Sequence, residues 1–175
     1  MTPPQAKASP IRRPLKAEEF ATQVKAELKD AWLPLIYSQR IRKMRTRSYS
    51  FENLKSTTRV TIQHTLLGVE LKTGSRRLLC PDLATARYLA VFARLGCTVV
   101  AVPYDITRIS HLADELESSW HRTMILADHH TAGASSAIQS RVRRLLIRMM
   151  KDEVNDAGAG SAVPEFKQST KQQSR

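Results

Sequence analysis

Residues 82–103 read DLATARYLAVFARLGCTVVAVP, and this stretch sets the fold class. Asp82 stands where a carboxylate caps a helix start, and Gly96 supplies a left-handed helix stop. The residues between them, LATARYLAVFARL, are apolar around most of a helical circumference, the pattern of a buried helix. CTVVAVP follows directly, as an unbroken apolar strand of the kind covered on both faces. A helix running straight into such a strand, behind a hairpin, predicts an α/β domain.

The hairpin is read upstream. From Arg59 the period becomes two and β-branched residues gather: RVTIQHTLLGVELK reads as one strand, KTGS as a turn carrying glycine, and RRLLC as the returning strand. Farther upstream, Phe20, Val24 and Leu28 make the apolar stripe of a helix over about Ala17 to Ala31. Pro34 then opens a second helix expected to reach about Arg47. Leu33, Tyr37, Ile41 and Met44 line one side of it, and Arg40, Arg42, Lys43, Arg45 and Arg47 crowd the rest.

Downstream of the apolar strand, Ile109, Leu112, Leu116, Trp120 and Met124 predict a helix from Asp105 to about Asp128. A last helix, about Ser136 to Val154, turns Val142, Leu145, Leu146, Met149 and Met150 inward and Arg141, Arg143, Arg144, Arg148 and Lys151 outward. The expected whole is one α/β domain over residues 17–154, a short mixed sheet flanked by helices. A disordered basic arm is expected at 1–16 and a disordered polar tail at 155–175.

Charge points to a partner. The net charge is +12, and its distribution is uneven: residues 1–59 hold 13 Lys+Arg against 5 Asp+Glu, residues 60–133 hold 7 against 7, and residues 134–175 hold 8 against 4. A neutral middle with basic flanks suits a polyanion, so the expected function is to grip the phosphate backbone of DNA or RNA. Arginine outnumbers lysine in both basic helices, which favours bidentate contact with phosphate. Tyr49 and Phe51 are candidates for stacking on unpaired bases, with packing beside the sheet as the alternative. For the last helix the alternative is docking on the acidic Asp114-Glu115-Glu117 face. An assembly role inside a ribonucleoprotein fits the same charge pattern.

Other classes are excluded or disfavoured. No apolar run approaches the roughly 18 residues of a membrane span, and MTPPQAKASPIRRP is no charged-then-apolar leader, so a cytoplasmic protein without a membrane partner is expected. Cys80 and Cys97 make no disulfide framework, and with the histidines they form no paired zinc spacing. Phosphate-loop and serine-hydrolase signatures are absent from the sequence.

One tripeptide raises the question of catalysis. In a strand Glu70 and Lys72 point to the same face, so a carboxylate able to hold Mg²⁺ stands beside an ammonium able to orient an attacking water. With the helix ATARYLAVFARLG and the strand CTVVAVPY behind it, this E-x-K resembles the core of the PD-(D/E)xK nucleases, the archaeal Holliday-junction resolvases especially, over residues 66–107. The resemblance implies a restriction-endonuclease-like core, Glu70 as a metal-binding acid, Lys72 as the catalytic lysine, Mg²⁺ as cofactor, and a homodimer cutting branched DNA. Arg59 to Val69 lacks the upstream acid of that motif; Glu52, or Glu18, Glu19 or Glu27, would have to supply it, with His64 as a substitute ligand if the strand is unbroken.

Overall fold

The computed structural model describes residues 14–51 and 59–159. In chain order the elements are α1 (Ala17–Leu28), which tightens into a 3₁₀ turn (Lys29–Ala31), and α2 (Leu33–Ile36), which widens into a π turn (Tyr37–Ile41). Then come β1 (Thr46–Ser50), β2 (Val60–Thr65), β3 (Gly68–Thr73), β4 (Arg76–Cys80), α3 (Leu83–Leu95), β5 (Val99–Pro103), α4 (Ile106–His130) and α5 (Ser136–Ala157). The chain is a single mixed α/β domain. No helix among the described residues is long and apolar enough to cross a membrane.

Helix α3 is the centre, as its composition requires. The Asp82 carboxylate accepts from the Thr85 N–H at 2.7 Å, and Gly96 closes the helix at φ 78°. Between the caps, Ala86 and every residue from Tyr88 to Ala93 are buried. The β2–β3–β4 sheet packs on α3, and α4 and α5 pack on it as well. Arg87, on the polar edge of α3, binds two acids of α4: Asp114 at 2.5 Å and Glu117 at 2.8 Å. Arg40 pairs with Glu115, so the acidic face of α4 is met by α2 and α3 and not by the arginines of α5.

The strands form two antiparallel sheets where one mixed sheet was expected. Residues 59–72 are not one strand: the chain reverses at Leu66-Leu67, and Gly68, at φ 127°, takes the conformation the tight turn needs. Two exposed leucines at a turn carry none of the usual turn chemistry, so period two ran through them unbroken in the sequence. The reversal makes a β2–β3–β4 meander.

The second helix also ends early, at Ile41, and Thr46–Ser50 is a strand that pairs with β5, Ser48 opposite Ala101. Four successive residues of β5, Val100 to Pro103, are buried, so its peptide groups must find partners inside the protein. β1 serves one edge. On the other, the Ala101 N–H donates to the Tyr37 hydroxyl at 2.9 Å, and the Tyr88 hydroxyl donates to the Ala101 carbonyl at 2.6 Å. Tyr37 in turn donates to the Gly158 carbonyl at 2.6 Å, tying the end of α5 to the same edge.

Buried neutral groups are expected to make stability fall at alkaline pH. Burial pushes the Cys97 thiol from 9.0 up to about 12 and raises the hydroxyls of Tyr37 and Tyr88 above 10.0. Each folded value lies above the unfolded one, so the contribution is whole below the unfolded value and is lost as pH rises through the folded one. Urea midpoints are therefore expected to fall between pH 9 and 12, with the onset moved toward 10 in Cys97→Ala. Midpoints that stay level across that window would contradict the assignment.

Candidate nucleic-acid interface

Helix α5 buries Val142, Leu146, Met150 and Val154, each four residues after the last, which fixes which way its arginines turn. Ser135 caps it, its hydroxyl accepting from the Ile138 N–H at 3.4 Å. Arg141, Arg144 and Arg148 recur at i, i+3 and i+7 and line one groove of about 320 Å³, with Leu145 and, from α1, Glu18. Arg141 lies 3.5 Å from Glu18. Arg144 donates to the Ser140 carbonyl of its own helix at 3.4 Å, and Arg148 has no acid partner among the described residues. Arg143 turns away to Asp128, its Nε 2.9 Å from the carboxylate. At its upper end the groove adjoins a larger cavity that shares Glu18 and Arg141 and adds Lys16 and His130. In sequence, Arg12 and Arg13 directly precede the first described residue, Pro14, which lines that cavity.

The other basic cluster does not form the single helical face expected of it. Arg40 is paired with Glu115. Arg42 is half-buried, and its Nε donates to the Ala157 carbonyl at 2.8 Å, a cation at the negative end of α5. Arg45 stacks over the Tyr104 ring at 5.2 Å. Lys43 and Arg47 are exposed, Arg47 on β1 rather than on a helix. Nine residues of α5 separate Arg148 from Ala157, about 14 Å of helix. The two clusters thus sit toward different ends of α5. Tyr49 and Phe51 meet edge to face at 5.0 Å, and Phe51 is buried, so Phe51 packs in the core.

Glu70 and Lys72 share one face of β3, as a strand requires. On that face Gln63 and Leu79 flank Glu70, and Thr61 and Arg77 flank Lys72, while the opposite face packs on α3. The Glu70 side chain is only 12% exposed, and its Oε2 accepts no hydrogen bond among the described residues; the Arg77 guanidinium is 3.9 Å away. His64 stands opposite Val69, on the other face, because the chain reverses between it and Glu70. Glu18, Glu19 and Glu27 belong to α1, where they meet Arg141, the Lys16 N–H and His130. Glu52 lies outside the described residues. Among the described residues no three His, Cys, Asp or Glu side chains converge, and Glu70 has no second carboxylate beside it in such a group.

These features define a mixed α/β domain whose last helix carries an arginine-lined groove. In comparisons with models of known protein families, with curated proteins and with solved structures, nothing matches the chain.

Proposed function

We propose that the protein binds the phosphate backbone of a nucleic acid along the Arg141–Arg144–Arg148 groove. The observation that carries this reading is the convergence of three arginines on one groove that holds a single acid, Glu18. Guanidinium groups in a row suit successive phosphates, and Phe51, one of the aromatics considered for stacking on a base, is packed inside the protein. Three phosphate contacts give a slope of log K against log salt of about −2 to −3, so binding weakens roughly 15- to 65-fold from 50 to 200 mM.

Fluorescence anisotropy with labelled single-stranded RNA, duplex RNA and duplex DNA across that salt range tests the reading. An affinity that stays level would remove it. The same substrates with Mg²⁺ or Mn²⁺ separate binding from cutting. Intact strands are the expected result; cleavage abolished by Glu70→Gln and by Lys72→Ala would assign chemistry to the outer face of β3 instead.

A further inference from the structure

The three-stranded sheet ends in β2, and no strand among the described residues pairs with its outer edge. Odd-numbered residues of the strand turn their peptide groups toward β3: Thr65 and Gly68 flank the two-residue turn, and at the other end the Arg59 carbonyl accepts from the Gly74 N–H at 3.1 Å. Val60, Ile62 and His64 therefore point their N–H and C=O groups outward, and none of these groups is bonded among the described residues. Protein edges are normally guarded by charge, proline or a bulge. β2, VTIQHT, has no Lys, Arg, Asp, Glu or Pro, whereas β4 carries Arg76 and Arg77 on the opposite edge and β1 carries Arg47.

We infer that β2 pairs with β2 of a second copy, antiparallel, about a two-fold axis through Ile62. In that register Ile62 meets Ile62 of the second copy and Val60 meets His64, so each outward-facing residue falls in a pair that exchanges both main-chain hydrogen bonds. The pattern is its own complement. Residues of equal parity oppose each other, so the side chains of Val60 and Ile62, half-buried against the core in one copy, lie on the same side of the joined sheet as His64 and Ile62 of the second copy. No like charges oppose across this edge, although the chain as a whole is strongly basic.

Sedimentation equilibrium of the full chain over a concentration series tests this. The expected mass is twice the 19.7 kDa of one chain, falling to the single-chain value on dilution. In hydrogen exchange the amides of Val60, Ile62 and His64 are protected only in the concentrated sample, while those of Thr61 and Gln63 are protected in both. Ile62→Pro removes the central outward N–H, and Ile62→Lys sets two ammonium groups against each other; both give the single-chain mass. A single-chain mass at every concentration would overturn the inference, as would a dimer whose Val60, Ile62 and His64 amides exchange as fast as in the monomer. The wild-type exchange pattern decides the matter even if the proline variant does not fold.

Discussion

Tyr37→Phe is expected to lower the unfolding free energy by roughly 1–3 kcal/mol, the usual effect of leaving a buried donor without its acceptor. The ring stays, with its edge contact to Phe92 at 5.4 Å, so no cavity opens. What goes is one oxygen that accepts from the Ala101 N–H and donates to the Gly158 carbonyl. Ala101 lies fully inside the protein, where water cannot take over. Tyr88→Phe orphans the carbonyl of the same residue and should have a similar effect. Because the two hydroxyls serve one strand edge, the double variant is not expected to be additive. For a chain of this size each kcal/mol moves Tm by about 2–4 °C. Tyr49→Phe is the control, since its hydroxyl makes no hydrogen bond among the described residues, and it should stay within about 0.5 kcal/mol of the wild type. A Tyr37→Phe melting curve that overlays the wild type would mean that the Tyr37 hydroxyl adds nothing to the hold that β1, Tyr88 and packing have on β5.

Replacing Arg141, Arg144 and Arg148 together by glutamine is expected to remove about 2–3 from the slope of log K against log salt, the share of three phosphate contacts. Affinity at low salt falls with it, by tens of fold, for RNA and DNA alike. The comparison that gives this meaning is Arg40→Gln with Arg143→Gln. Those guanidiniums are hydrogen-bonded to Glu115 and Asp128, whereas Arg141 has only the 3.5 Å ion pair with Glu18, so their loss should change the slope less. Glu18→Gln acts the other way, tightening binding by lifting the one negative charge from the groove. All of these residues are on the surface, so circular dichroism and Tm should stay close to wild type. If the triple variant kept the full salt slope, the arginine groove would not be where phosphate binds.

Much of the architecture was legible in the sequence because it is decided locally. Asp82 and Gly96 bound α3 by chemistry confined to one turn each, and Asp105 caps α4 in the same way, its side chain accepting from the Thr107 N–H at 3.1 Å. The apolar stripe of α5 falls at helical spacing, so Arg141, Arg144 and Arg148 could be assigned to its outer side. The shared face of Glu70 and Lys72 follows from strand geometry alone.

Residues 42–50 and the fate of each arginine could not be read in this way. The segment is rich in helix formers, yet β5 lies buried and needs a hydrogen-bonding neighbour, and that demand, from about fifty residues away, makes Thr46–Ser50 a strand. Likewise Arg40 and Arg148 look alike in the sequence, but Arg40 meets Glu115, 75 residues on, while no acid among the described residues reaches Arg148. The sequence by itself determined four of the five helices, the two caps of α3 and the amount of positive charge, all properties of near neighbours along the chain. Only the tertiary structure decided which backbone groups pair and which charges are left for a partner, because hydrogen bonds and ion pairs form between groups that meet only once the chain has folded.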